Sequence, residues 1–313
     1  MIEFLATDFD IHLDSVERLG GGVDRLAQNF RGCAGSRAYA IKWSAGGTTA
    51  GLVVPCTMAD RGVNGVAAPM RTRDGRLWSE RDGRRLSVVP WVGERRAIDG
   101  GMDAAQWRAF GEVLAATHAM PITSELAAVL PVAGHKRDVA QARETDKLLR
   151  STEPADTLAV TARRLWLEHA DHITAVITRV EALVPRVTPT TICHTDAHLG
   201  NVLVGPARVW LIDWDDAALS TREQDLMFVL GGTYGDEHIG DDERAWFFEG
   251  YGEVSVDPDL LAYWRGVRGL CDVAFLAGEA FTPGDYGDEW RAEAVRLLAA
   301  NLGPDGIIAL AFA

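Results

Sequence analysis

Residues 192–216, ICHTDAHLGNVLVGPARVWLIDWDD, constrain this chain more than any other part of it. Asp196 stands five residues before Asn201. A short apolar run and a Gly205-Pro206 turn follow, and a second apolar run (Val209, Trp210, Leu211, Ile212) ends at Asp213. Two such runs about a turn read as a hairpin, so the order is loop, strand, turn, strand, acid. Folded, this sets one carboxylate beside one carboxamide and brings a second carboxylate to both. Phosphoryl transfer from a magnesium nucleotide needs such a set: one group to orient a hydroxyl and accept its proton, and two oxygen donors for the metal. Singly, each residue is also what a turn or strand end carries for local reasons. The joint spacing points to chemistry.

A chain of 313 residues can bury a sizeable core and is long enough for two lobes. Its 31 basic and 45 acidic side chains give a net charge of −14. That disfavours a nucleic-acid backbone as partner and favours a cationic or polar small molecule, although an acidic surface also serves plain solubility. Cys33, Cys56, Cys193 and Cys271 are widely spaced, without the Cys-x-x-Cys step of a zinc or redox site. Free thiols in a reducing compartment are expected, and with them a cytoplasmic location. The opening MIEFLATDFDIHLD carries acids where a signal peptide needs basic residues. No run approaches the roughly 18–20 apolar residues of a membrane helix, so no membrane partner is expected.

Before residue 90 the pattern is β-rich. Val16 to Leu19, Leu26 to Phe30 and Ala38 to Trp43 read as short strands, and Arg76 to Trp78 and Arg85 to Trp91 as two more about an Asp82-Gly83 turn. Residues 48–62 read as a helix that Pro55 should break or delay. After Pro90-Trp91-Val92-Gly93 the chain turns helical. Asp103 to His118 has helix-period apolar positions with an acid at the start, and 135–150, 155–183, 222–232, 241–252, 257–281 and 287–301 are further candidates.

This arrangement resembles the aminoglycoside phosphotransferase family, a branch of the protein-kinase-like fold. The likeness covers most of the chain and is densest from Ile192 to Leu230. HTDAHLGNVLV and LIDWDDAALSTREQDLMFVLGG are most similar to the branch that phosphorylates spectinomycin, and Tyr263 to Asp272 adds to that. The resemblance implies an α+β, bilobal, protein-kinase-like fold. A small antiparallel sheet in an N-lobe (1–89) would bind the nucleotide. A hinge (90–93) would lead to a large, mainly helical C-lobe (94–313) carrying the catalytic hairpin and the acceptor site. It implies ATP, with GTP left open, and Mg2+ as cofactors. The acceptor would be an aminoglycoside or aminocyclitol hydroxyl.

On that resemblance Asp196 is the catalytic base, and Asn201 and Asp213 are the metal ligands. His194 and His198 support the loop, with Asp225 capping or bracing it. Lys42 follows Ala-Tyr-Ala-Ile on a strand, as the phosphate-binding lysine of kinases follows its own Val-Ala-Ile. Gly20, Gly21 and Gly22 would bend over the phosphates, and Trp91 and Val92 would meet the adenine at the hinge. Asp215, Asp216, Asp272 and Glu279 are candidates for holding the cationic groups of an acceptor. For each of these the ordinary alternative is a turn, a cap or a solvated face.

Two departures stand out. Kinases pair the strand lysine with a glutamate on the next helix, yet residues 43–79 contain no glutamate. Asp60, Asp213 or the phosphates alone remain as partners for Lys42. Thr195 and Ala197 stand where the family often has Gly and Leu. A metabolite kinase acting on a choline-like amine, homoserine or a sugar keeps the same motif. A hydrolase with zinc at His194, Asp196 and His198, or a catalytically silent kinase-like protein, would explain fewer residues. Oligomeric state has no signal in the sequence.

Overall fold

The computed structural model describes residues 1–20, 26–231, 239–284 and 287–312. The chain opens with helix α1 (Ile2–Phe9), followed by strands β1 (Ser15–Arg18), β2 (Ala27–Ala34) and β3 (Arg37–Ser44). Helix α2 (Ala50–Asp60) and strands β4 (Ser79–Arg81) and β5 (Arg84–Pro90) come next. Helices α3 (Ala104–His118), α4 (Ser124–Val129), α5 (Lys136–Ser151), α6 (Thr157–Glu168) and α7 (Ala170–Leu183) lead to the motif region. There lie strands β6 (Thr191–Cys193), β7 (Val202–Gly205), β8 (Arg208–Leu211) and β9 (Ala218–Ser220). Helices α8 (Glu223–Leu230), α9 (Asp241–Tyr251), α10 (Pro258–Phe281), α11 (Gly287–Leu302) and α12 (Ile307–Leu310) finish the chain. This is the α+β arrangement expected, sheet first and helices after.

Two compact units are present. The first holds Met1–Pro131, Thr191–Leu219 and Ala245–Glu253. Its antiparallel sheet runs in the order β1-β2-β3-β5-β4. Alternation along β3 sends Tyr39 and Ile41 into a core with Leu5 and Phe9 of α1, Ile11, Leu86 and Val88, which leaves Lys42 on the opposite face. The β4–β5 turn is Asp82-Gly83, with φ of 52° and 68°. Two successive positive values make the tight hairpin turn whose twist suits antiparallel strands. That turn fixes Arg81 opposite Arg84, so β4 begins at Ser79 and not at Arg76. Residues 72–76 instead form a local turn, the Thr72 N–H donating to the Arg76 carbonyl at 2.8 Å.

Pro55 neither breaks nor delays α2. The helix is regular from Ala50 to Asp60, and it tolerates the one missing N–H because seven of its residues, Pro55 included, are buried. At the head of α3, Asp103 and Gln106 form a reciprocal capping box, and the Gln106 amide reaches the Gly205 carbonyl at 2.8 Å. The start of α3 is thereby tied to the β7–β8 turn. The same hairpin is strapped at its other strand, where the Leu211 N–H donates to the Gly65 carbonyl at 2.9 Å.

The second unit comprises Val132–Thr190, Ser220–Arg244 and Val254–Ala313. The 24-residue α10 is its axis, started by the Asp257 cap and by Pro258 in the first turn. Tyr263, Trp264, Leu270 and Val273 are almost wholly buried on it, and α5, α6, α7, α8, α11 and α12 pack around it. The helix expected over 155–183 is two helices. The His169 ring bonds the Leu165 carbonyl at 2.9 Å, and a side chain that competes for a backbone carbonyl interrupts the ladder. No helix among the described residues is long and apolar enough to cross a membrane.

Candidate active site

Three pieces of the first unit converge: β3, the loop after β6, and the β7–β8 hairpin with the turn that leaves it. His194 is fully buried behind the loop. Its Nδ1 lies 3.3 Å from the Asp196 N–H and its Nε2 lies 2.9 Å from the Ile212 carbonyl. A backbone N–H only donates, so Nδ1 accepts, and the ring proton sits on Nε2. Both nitrogens are engaged within the protein, which leaves His194 none for a zinc ion. Thr195 makes a second tie, its hydroxyl donating to the Asp216 carbonyl at 2.9 Å. It does so with φ at 71°, a left-handed value that is unusual for a β-branched residue.

Asp196 and Asn201 face each other directly. The Asn201 amide donates to the Asp196 carboxylate at 3.0 Å and to its backbone carbonyl at 2.9 Å. With the nitrogen so placed, the amide oxygen is the atom left to face a ligand. The Asn201 backbone carbonyl accepts from the Ile212 N–H at 3.0 Å, which ties this residue to the strand entering Asp213. His198 caps the short turn over Leu199–Asn201, accepting from the Gly200 N–H at 3.0 Å. Its other nitrogen lies 3.6 Å from the Asp196 carboxylate.

Asp213 also sits in the left-handed region, at φ 62° and ψ 60°, with 55% of its side chain exposed. Its carboxylate lies 3.6 Å from the Lys42 ammonium. Lys42 makes its closer ion pair with Asp215. Asp60 does not substitute for the missing helix glutamate. It lies at the far end of α2, 3.6 Å from Arg71 and 3.8 Å from the Cys56 thiol. Magnesium takes hard oxygen ligands and keeps several waters, so one amide oxygen and one exposed carboxylate suit it. The Asn201–Asp213 pair fits that requirement.

The other residues singled out from the sequence are more scattered. Gly20 precedes a stretch in which Gly21 and Gly22 lie outside the described residues. Trp91 directs its backbone N–H to the Ala38 carbonyl at 2.9 Å, so that donor is taken, and Val92 follows it in irregular chain. The Trp91 ring is covered by the Arg31 guanidinium at 5.0 Å, itself paired with Glu94 at 2.9 Å. Asp216 is exposed on the turn after Asp213. The remaining acids belong to the second unit. Asp225 is fully buried in α8, Asp272 accepts from Arg268 at 2.9 Å, and Glu279 accepts from the Trp290 indole at 3.2 Å. Sequence reasoning missed Asp215 as the partner of Lys42. The only signal was negative, the absence of glutamate between residues 43 and 79.

The phosphotransferase enzyme family (APH) matches residues 57–270, and the chain belongs to it. It is a phosphotransferase with an alcohol group as acceptor. Among solved structures it is similar to spectinomycin phosphotransferase APH(9)-Ia bound to ADP and spectinomycin. The TM-score is 0.87 at 25% identity, over 100% of this chain and 96% of that one. The AMP complex of the same enzyme gives 0.84 at 24% identity, over 100% and 97%. The GDP and kanamycin complex of APH(2")-IIia shares the fold at 0.61 and 18% identity, over 94% and 95%. No curated protein matches the chain in sequence.

Proposed function

We propose that this chain transfers the γ-phosphoryl group of ATP to a hydroxyl of spectinomycin or a closely similar aminocyclitol, with Mg2+. The observation that carries the acceptor choice is the full-length likeness to the spectinomycin enzyme, at a TM-score of 0.87. The chemistry is carried by the side chains. Asp196 is held by a neutral amide and can accept a hydrogen bond from the attacking hydroxyl and take its proton as the bond to phosphorus forms. The Asn201 amide oxygen and the Asp213 carboxylate hold the metal. A magnesium ion held there would supply charge neutralisation on the phosphates. Lys42 contacts the α- and β-phosphates as a point charge.

In this reading residues 1–89 bind the nucleotide, 90–93 act as a hinge, and 94–313 supply the hairpin and the acceptor site. Gly20 to Gly22 approach the phosphates, and Trp91 and Val92 border the base. His194 and His198 fix the loop. Asp216, exposed beside Asp213, meets the cationic acceptor. ATP is the nucleotide of choice and the cytoplasm the place of action, where the four free cysteines stay reduced.

The test is ADP release from magnesium ATP in the presence of spectinomycin, kanamycin, choline, homoserine or simple sugars. Release with spectinomycin and with no other acceptor is expected. Turnover with a metabolite in its place would move the enzyme to another substrate class on the same chemistry. Absence of nucleotide binding would remove the reading altogether.

A further inference from the structure

Lys42 lies on β3 with α2 as the next helix, and α2 offers it no acid. The helix reads AGLVVPCTMAD, with no carboxylate in its first turn, and Asp60 at its far end is engaged with Arg71 and Cys56. In place of an acid, α2 brings a glycine. A β-carbon at Gly51 would lie 2.9 Å from the Asp215 Cα and 3.0 Å from the Trp214 carbonyl oxygen, both backbone atoms. No larger side chain fits without moving one of them. The Thr48 hydroxyl donates to the Asp215 carbonyl at 3.2 Å, and Arg85 holds the preceding loop through the Gly46 carbonyl at 2.6 Å. The start of α2 therefore packs directly on the turn Trp214–Asp216 and seats the Asp215 carboxylate on the Lys42 ammonium.

The two acids differ in exposure. Asp215 keeps 27% of its side chain exposed, like the 24% of Lys42, whereas Asp213 keeps 55%. Lys42 has three ammonium donors, so one can remain on Asp215 while the others reach phosphate oxygens. Resting on the nucleotide-site reading above, we propose that Asp215 is the positioning residue for Lys42, in the place of a helix glutamate. Asp213 is thereby left for the metal. Asp215 acts through Lys42, and it is not an acceptor-binding acid.

A double-mutant cycle tests this, with the affinity for magnesium AMP-PNP and the kcat/KM for ATP as readouts. Asp215→Asn is expected to weaken nucleotide binding about tenfold when Lys42 is present and less than about twofold in the Lys42→Met background, because residues acting as one unit are not additive. Asp215→Glu, which keeps the charge, should recover most of the loss. Equal losses in both backgrounds would overturn the proposal, since Asp215 would then act on the metal or the backbone. So would an unchanged affinity in Asp215→Asn. Thermal unfolding of each variant separates a folding defect from these outcomes: where Asp215→Asn does not fold, the same cycle is read with Asp215→Ser. Wild-type protein that binds no nucleotide would be a failure of the nucleotide-site reading itself, visible before any variant is made.

Discussion

The catalytic hairpin and the helical second unit treat their carboxylates in opposite ways. In the second unit three acids are closed off by arginine. Asp156 accepts two bonds from Arg291, at 2.7 and 2.9 Å, and Arg291 is only 5% exposed. Asp257 caps α10 while bonding Arg186 at 2.7 Å, and Asp272 is bonded by Arg268. The Arg291 guanidinium, helped by the Ala159 N–H, holds the Asp156 carboxyl down at about 2. Arg186 likewise lowers that of Asp257. In the hairpin, Asp196 is held by a neutral amide, and Asp213 stands half open on left-handed backbone. Acids locked to guanidinium groups in this way are architecture. The hairpin acids, one on a neutral amide and one beside Lys42 on left-handed backbone, are held ready for something that arrives from outside.

The contrast can be broken by substitution. Asp196→Asn should lower kcat about a thousandfold, the range of a lost general base, with a melting temperature close to wild type. A melting temperature that falls with activity would place Asp196 among the architectural acids instead. Asp213→Asn should cost about a hundredfold in kcat/KM and raise the magnesium concentration needed for half-maximal rate, since one carboxylate ligand is lost. A magnesium titration at fixed ATP checks it, and an unchanged midpoint would contradict the assignment.

The second unit should respond in the other currency. Asp156→Asn should leave kcat within about twofold and lower stability, because the buried Arg291 keeps only the exposed Asp288 as counter-charge. The pH dependence has a definite sign. Asp156 is depressed to about 2 in the folded chain from an ordinary 3.8, so the native state binds fewer protons through that window. Its contribution is complete above about pH 4 and disappears as pH falls toward about 2. Urea unfolding across that range should show a shallower acid decline in Asp156→Asn than in wild type. The smallest effect is expected at Thr195→Gly. Relief of the left-handed strain, about 1 kcal/mol, is offset by loss of the bond to Asp216, also about 1 kcal/mol, and by the extra freedom of glycine when unfolded. A change beyond about 1 kcal/mol in either direction would show that the strain or the bond dominates.

The sequence made the hairpin legible because its cues are local: two apolar runs, a turn, and polar residues at fixed steps. The sheet around Lys42 and the helix begun by Asp103 were readable for the same reason, with period and cap in agreement. Helices α1 and α4 were not anticipated. They have 8 and 6 residues, too few to be stable alone, and burial of Leu5, Phe9 and Leu126 decides them. The strand expected at Arg76–Trp78 gave way to one at Ser79–Arg81, because the two-residue turn sets the register. Within the site, the spacing of Asp196, Asn201 and Asp213 carried the chemistry. The Lys42–Asp215 pair joins residues 173 positions apart through a close approach at Gly51, and no local pattern encodes that.

The most direct test of the central claim is the mass of spectinomycin after incubation with magnesium ATP and either wild-type protein or Asp196→Asn. The account predicts that the wild type adds one phosphoryl group in step with ADP formation, and that Asp196→Asn, folded and nucleotide-bound, leaves the antibiotic unchanged. Phosphorylated spectinomycin formed equally by both proteins would contradict the assignment of the hairpin as the catalytic centre.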